Sequence, residues 1–355
     1  MILLRVKSLC IKIISVLNNL ISKKHKVYYV VETANWSIKE DGKNLKKSIA
    51  ESKYIKLTHS GLGIRNSIIH YGTEGVFFNK NEVRAPHKSN KVIVTWFHII
   101  DNDSKITNLL NADKSIDLWH TSCVLTKKKL IALGIDCNKI RIIPLGINLN
   151  IYKPIKKEII EKRKDELNIP KNTIVIGSFQ KDGIGWGKGT EPKLEKGPDI
   201  FCSVVEELSK KYNLYILLTG PARGYVKERL NRSNIKYFHK FLDNPDDVAH
   251  YFQLCDMYII SSREEGGPKA VLESMACGVP LISTKVGMAP DIINHGIDGF
   301  LCDVEDKDSL FKYCELLIND EQIKNKIIEN AKVKVANYSQ HKITELYKNM
   351  YKELM

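Results

Sequence analysis

Short apolar runs alternate with amphipathic segments along most of the chain, and this alternation narrows the possible folds more than any other feature. In the first 150 residues "KVYYVVE", "YIKLTHS", "KVIVTWFH" and "KIRIIPLGIN" read as strands. Between them "SIKEDGKNLKKSIAES" reads as a helix, "DLWHTSCVLTKKKLIALGI" as helical after a short strand, and "GLGIRNSIIHYG" as a glycine turn running into a helix. A second series follows, with strands in "TIVIGSF", "LYILLTG", "IKYFHKF", "DMYIISS" and "PLIST". Its helices are Asp199 to Tyr212, "GYVKERLNR" and "PDDVAHYFQLC". Alternating β and α elements imply parallel sheets with crossover helices. Two such series joined near Pro144–Pro154 predict an α/β chain of two doubly wound domains with a cleft between them. Ligands of parallel sheets bind at the carboxyl ends of the strands. Both glycine turns, Gly61–Gly63 and Gly266–Gly267, fall at such ends. The 355-residue length agrees with two cores rather than one. The insert "QKDGIGWGKGTEPKLEKGPD" is too long for a plain connector and reads as a functional loop.

The net charge of +14 is unevenly placed. Residues 1–150 hold 24 Lys/Arg against 11 Asp/Glu, whereas residues 151–355 hold 31 against 30. A basic first half suits an anionic partner, or is a solvated lysine-rich surface. The eight cysteines form no C-x-x-C pair and no zinc-spaced cluster, which fits reduced thiols in the cytoplasm. No stretch is long and apolar enough for a transmembrane helix. Residues 1–25 are apolar but interrupted by Arg5, Lys7 and Lys12. Leu3, Val6, Cys10, Ile13, Leu17 and Leu20 recur at helical spacing, and Lys23, Lys24 and Lys26 follow. This reads as an amphipathic helix for an anionic membrane surface, or else one packed on its own domain. It lacks the apolar block and cleavage site of a signal peptide.

The stretch "SSREEGGPKAVLESMACGVPLIST", Ser261 to Thr284, carries the clearest chemistry. Proline suits a first helical turn, glycines let a ligand approach the backbone, and free amides at a helix start attract oxygen anions or hydroxyls. Glu265 stands ahead of the helix and Glu273 lies about 12 Å along its axis at 1.5 Å per residue. Two carboxylates so spaced can hold separate hydroxyl-rich parts of one extended ligand, such as a sugar and a ribose.

Here the sequence resembles the retaining GT-B glycosyltransferases of the family 4 type (glycosyl transferases group 1). "EGGPKAVLE" matches their E-x7-E motif, and "MACGVPLISTKVGMAPDIINHGIDGFLC" and "LTKKKLIALGIDCNKIRIIPLGIN" continue the likeness. "YSQHKITELYKNMY" is similar to their last helix, which crosses back to the first domain. The resemblance implies a first, acceptor domain over 26–150, a nucleotide-sugar domain over 151–335 and a closing helix over 336–355. It implies transfer of a sugar from a nucleoside-diphosphate donor to an acceptor hydroxyl, with retention and without a metal or other cofactor; no DxD-like pair stands in a suitable context. Glu265 and the amides of Gly266 and Gly267 would hold the donor sugar, Glu273 the ribose and Lys196 the diphosphate. The family's arginine after the strand glycine is Ser178 here, which leaves Lys181 as the substitute cation. Gly61 and Gly63 match the glycine loop facing the diphosphate, with Arg65 beside it, and His98 a histidine near the reacting sugar. Phe241 and Leu242 fall where the base is met. Trp36 and Trp186 are platforms for a sugar or packed side chains. Arg263 reads as a partner of Glu264. The acceptor expected is a glycan or lipid-linked glycan at the inner face of the cell membrane.

Other readings share parts of this evidence. A sugar-nucleotide epimerase would have the same architecture, while a phosphorylase would need a marked pyridoxal phosphate lysine. A pI of 9.2 suggests nucleic-acid binding, but no known nucleic-acid module interleaves the basic residues. Ser178 would suit an inactive partner subunit; Glu265, Glu273 and Lys196 oppose it. A dehydrogenase is excluded, because neither glycine turn reads G-x-G-x-x-G with an acid about 20 residues on.

Overall fold

The computed structural model describes residues 2–21, 26–33, 37–49, 54–79, 82–83, 85–100 and 104–355. Trp36 lies outside them. The chain forms two compact units, one of residues 1–146 with 340–355, the other of residues 147–339.

In the first unit a six-stranded parallel sheet is built from β1 (Val27–Val30), β2 (Ile55–Thr58), β3 (Ile68–Tyr71), β4 (Lys91–Thr95), β5 (Leu118–Thr121) and β6 (Ile140–Ile142). Their order across the sheet is β2-β1-β3-β4-β5-β6. The strands β1, β3 and β5 are buried throughout, which is why they read as continuous apolar runs. The helical reading of "GLGIRNSIIHYG" is corrected: Ile68–Tyr71 pairs in parallel with both β1 and β4. The β-branched Ile68 and Ile69 suit a strand buried between two neighbours. Helix α1 (Ile2–Ile21) and helix α2 (Ser37–Ser48) precede β1 and β2. Val94, Trp96, Trp119 and Ile69 centre the core.

The last helix of the chain (Gln340–Lys352) belongs to this first unit. It joins the sheet through a buried polar chain. His70 Nδ1 meets Tyr351 Oη at 2.8 Å, His70 Nε2 meets Thr95 Oγ1 at 2.8 Å, and Thr95 Oγ1 meets His120 Nδ1 at 2.8 Å. His120 Nε2 lies 3.1 Å from the Ile143 carbonyl. A carbonyl only accepts, so His120 Nε2 carries hydrogen, and that fixes the direction of every other bond: Tyr351 donates to His70, His70 to Thr95, Thr95 to His120. Protonating either ring would turn the facing hydroxyl, Tyr351 or Thr95, from donor to acceptor and cost its hydrogen the present partner. Burial lowers both pKa values, that of His70 well below the usual range and that of His120 to about 4, although the Ile143 bond opposes the shift in His120. The unfolded chain binds these protons near the ordinary value of about 6.5. This contribution to stability is therefore complete above that pH and lost as pH falls toward about 4. Denaturant titrations should show a loss of about 3 kcal/mol from His120 alone over that range. The loss should shrink in His120→Gln, and equal acid sensitivity of that variant would contradict the assignment.

The second unit repeats the scheme with β7 (Ile174–Ser178), β8 (Leu214–Thr219), β9 (Lys236–Lys240), β10 (Met257–Ile260), β11 (Leu281–Thr284) and β12 (Phe300–Cys302). All are parallel, in the order β9-β8-β7-β10-β11-β12. Helix α3 (Pro198–Ser209) follows β7, α4 (Gly224–Arg232) follows β8 and α5 (Ala270–Cys277) follows β10. Proline at the start of α3 and glycine after α5 mark the ends where those residues are tolerated best. Ile176, Val205, Ile216, Ile259 and Ile282 lie at the core.

Candidate functional site

The order of the second sheet changes direction between β7 and β10, which are neighbours although β8 and β9 intervene in sequence. A crevice at the carboxyl ends of such a strand pair is the usual ligand position in open α/β sheets. Gly177 permits the close pairing there, since a Cβ would stand 2.8 Å from both Cys255 Sγ and the Tyr258 ring.

The segments that follow β7 and β10 bring Lys196 to Glu265. Lys196 Nζ donates to Glu265 Oε1 at 2.6 Å, and Ser262 Oγ donates to the same oxygen at 3.0 Å. The side chains retain 24% and 12% exposure, so the pair is mostly desolvated yet reachable. Lys196 ends a 3₁₀ turn (Leu194–Lys196), and Gly197 follows in the left-handed conformation at φ 59°. Ser261 Oγ donates to the Gly197 carbonyl at 2.8 Å, while the amides of Arg263 and Glu264 donate to the Glu195 carbonyl. The turn is thereby tied to the end of β10, which fixes the ammonium against the carboxylate.

Arg263 stabilises the same junction, though not as expected. Its guanidinium grips Asp199 at 2.8 and 2.7 Å, reaches Glu305 and donates to the Leu194 carbonyl. The Arg263 bonds hold the Asp199 carboxyl below its ordinary range. The expectation for Pro268 also needs correcting. Helix α5 begins at Ala270 with Lys269 as its cap, and Pro268 contributes only a carbonyl to the Val271 amide. The amides of Gly266 and Gly267 donate to no described acceptor, so they stand available ahead of the helix. Gly287 (φ 50°) lets the next turn touch Gly266, where a Cβ would stand 2.4 Å from its carbonyl oxygen.

Glu273, in the first turn of α5, lies close enough to Tyr152 for its charge to act on the phenol. Burial raises the Tyr152 pKa, with the Glu273 charge adding to it, so Tyr152 keeps its proton. Sequence reasoning did not find Tyr152, which lies far away in sequence beyond "PLGIN".

The insert after β7 folds back on itself. Gly183 bridges Pro192, and the Lys193 amide donates to the Asp182 carbonyl at 2.7 Å. Its base is fixed by Arg223, which is 1% exposed and ion-paired to Asp182 at 2.9 Å. Arg223 also donates to the Ser178 carbonyl at 2.6 Å, the Thr219 carbonyl at 2.8 Å and Ser178 Oγ at 2.9 Å. Burial raises the Asp182 pKa against the opposing pull of Arg223. A guanidinium therefore does reach Ser178, but from the start of α4, and its complete burial makes it a positioning group. Lys181 Nζ sits 4.4 Å from the centre of the Trp186 ring, and Trp186 is 63% exposed. Lys193 was also missed. Burial lowers its pKa, as do the neighbouring charges of Lys196 and Lys181, while Glu195 and Glu265 oppose them. Its three-residue spacing from Lys196 across a tight turn was the available signal. Phe241, after β9, is 58% exposed, so core packing does not account for it, and Leu242 beside it is half-buried.

Within the first unit, Gly61 packs against Tyr71, where a Cβ would stand 2.2 Å from the hydroxyl. Gly63 (φ 80°) packs against Val16 and Leu20 of α1. Arg65 is exposed and donates to the Ile64 carbonyl. His98 is exposed after β4, and its carbonyl accepts from Trp96 Nε1 at 3.0 Å.

Chemically, the second-unit cluster offers an ammonium held by a carboxylate, two further lysines, free amides and a second carboxylate. That set suits a ligand carrying both anionic and hydroxyl groups.

Residues 192–334, which contain Lys196, Glu265 and Glu273, match the family model described as glycosyl transferases group 1. The chain is 30% identical over 167 residues to the N-acetyl-alpha-D-glucosaminyl L-malate synthase of Bacillus anthracis, covering 46% of this chain and 43% of that one. It is 28% identical over 225 residues to the N,N'-diacetylbacillosaminyl-diphospho-undecaprenol alpha-1,3-N-acetylgalactosaminyltransferase of Campylobacter jejuni, covering 62% and 56%. The chain thus spans about half the length of the curated relatives it matches. A crystal structure of Anabaena Alr3699/HepE in complex with UDP and glucose superposes with a TM-score of 0.74 over 92% of this chain and 99% of that one, at 18% identity. The two parallel doubly wound sheets are those of the GT-B fold.

Proposed function

We propose that this chain is a retaining glycosyltransferase of the group 1, family 4 type, moving a hexosyl group from a nucleoside-diphosphate sugar to a hydroxyl of a glycan or lipid-linked acceptor. The observation that carries this reading is the Lys196–Glu265 contact at 2.6 Å, at the switch point of a sheet and inside the matched segment. When the glycosidic bond breaks, negative charge gathers on the departing diphosphate. A fixed cation placed there stabilises the transition state more than the ground state. Lys196 takes that role, with Lys193 and Lys181 close enough to add positive potential. Glu265 and the amides of Gly266 and Gly267 orient the sugar hydroxyls. Glu273 receives the ribose, with Tyr152 beside it. Phe241 and Leu242 meet the base, and Gly61, Gly63 and His98 belong to the reaction in the roles the resemblance gives them. The chemistry requires neither metal nor organic cofactor. The UDP of the Anabaena complex supports reading the donor as a uridine nucleotide sugar, and the Campylobacter relative supports reading the acceptor as a diphospho-undecaprenol glycan, worked on at the cytoplasmic periphery of a membrane.

The test is a thermal-shift panel of nucleoside diphosphates and their sugars. One of them, at a hundred times its Kd, should stabilise the protein by about 2.7 kcal/mol. Glu273→Ala should weaken that ligand about tenfold, or about 1.4 kcal/mol. A panel in which no nucleoside diphosphate or nucleotide sugar shifts unfolding would reject the reading.

A further inference from the structure

Helix α1 is turned against the usual rule for a surface helix. Its polar side faces its own unit: Asn19 is 5% exposed and donates to the carbonyls of Ser60 at 3.0 Å and Leu62 at 3.1 Å. Ser8 bonds Thr33 at 3.0 Å, and Lys56 Nζ donates to the Asn18 carbonyl at 2.9 Å. The apolar side faces outward. Val6, Leu9, Ile13, Ile14, Leu17 and Leu20 are 51–63% exposed. At about 100° per residue they fill one arc of roughly 140°, with Lys7 on one border, Lys12 on the other and the buried polar residues opposite. Both lysines are exposed. With a length of about 30 Å and seven Asn, Ser, Lys and Arg positions among its 20 residues, α1 does not qualify as a membrane span.

We infer that the outward face of α1 is a docking surface for an anionic lipid bilayer, with the apolar arc in the headgroup boundary and Lys7 and Lys12 on lipid phosphates. Charge selects this occupant. The arc is bordered by cations alone, in a half-chain where Lys/Arg outnumber Asp/Glu 24 to 11. A second copy seated on the same arc would set like charges against each other, whereas an anionic surface neutralises them. Because the polar anchoring to Ser60, Leu62 and Thr33 is already satisfied, the helix can dock without leaving its unit. The inference rests on the membrane-peripheral reading above, but its test needs neither donor nor acceptor, so either can fail alone.

The test is flotation of the full chain with vesicles of phosphatidylcholine, with and without phosphatidylglycerol. The protein should float with the anionic vesicles and stay behind with the neutral ones, and added salt should weaken binding. Ile13→Glu/Leu17→Glu should reduce binding at least tenfold while leaving the melting temperature unchanged, since both side chains are exposed. Lys7→Gln/Lys12→Gln should reduce it about 20- to 30-fold at roughly a kilocalorie per charge. Failure to float with anionic vesicles would overturn the inference. So would equal binding to neutral ones, or a dimer in sedimentation that Ile13→Glu/Leu17→Glu dissolves.

Discussion

Lys196→Ala is expected to lower kcat about 10²–10³-fold, with a much smaller change in donor binding. The size follows from what the ammonium does. A single preorganised donor aimed at developing charge accounts for about 2.7–4 kcal/mol of barrier lowering in a water-poor site. In the proposed reaction Lys196 fills that role: its side chain is 24% exposed, and its direction is set by Glu265 at 2.6 Å and by the turn beneath it. The diphosphate of the bound donor already carries charge, so part of the interaction is present in the ground state. The part that grows as the bond breaks appears in kcat. Single-turnover kinetics at saturating donor separate the two effects. Full turnover in this variant would remove Lys196 from the reaction and with it the main support for the proposed chemistry. Glu265→Gln offers a companion measurement, because it keeps the shape and removes the charge that orients the lysine.

Gly197→Ala should destabilise the protein by about 3 kcal/mol or more. Two costs add. A non-glycine residue in the left-handed region costs roughly 1–2 kcal/mol, and Gly197 has φ 59°. The new methyl would also stand 1.9 Å from the Ser261 carbonyl oxygen, a backbone atom that a rotamer change cannot move. The end of β10 or the 194–197 turn must shift, and either movement separates Lys196 from Glu265. Gly185→Ala supplies the control. Gly185 also has a positive φ, 75°, but nothing lies within 4 Å of its Cβ position, so only the smaller conformational cost should appear. Equilibrium denaturation of both variants tests the comparison, and equal destabilisation would show that the Ser261 contact is not what makes Gly197 necessary.

Most strands could be read from sequence, even the partly exposed "KYFHK" and "IKLT", and the plainest were those buried along their whole length. "VYYV", "LYILLT" and "MYII" leave no polar position to confuse the period. "IIHY" was misread because a glycine-rich turn and Asn66 precede it, while its histidine looks like a solvent-facing break. That histidine is buried instead, and its partners lie 25 and 281 residues away. The same distance in sequence hid much of the candidate site. Glu265, Glu273 and Lys196 stand in recognisable local patterns. Tyr152 and Arg223 do not, because each acquires its meaning from a partner brought in by the sheet. Arg263 shows the converse error. The adjacent Glu264 was the obvious partner, yet Asp199, 64 residues away, receives two of its hydrogen bonds.

The placement of residues 340–352 has a consequence for how the protein is made. These residues complete the buried chain from Tyr351 through His70 and Thr95 to His120, yet they are translated after the whole of the second unit. During synthesis the second unit can reach its native state while the earlier-made sheet still lacks its final covering. Until the ribosome delivers that helix, the nascent chain holds two buried histidines without the hydroxyl that starts their relay, and a stall shortly before residue 340 should leave the older half the more open to protease.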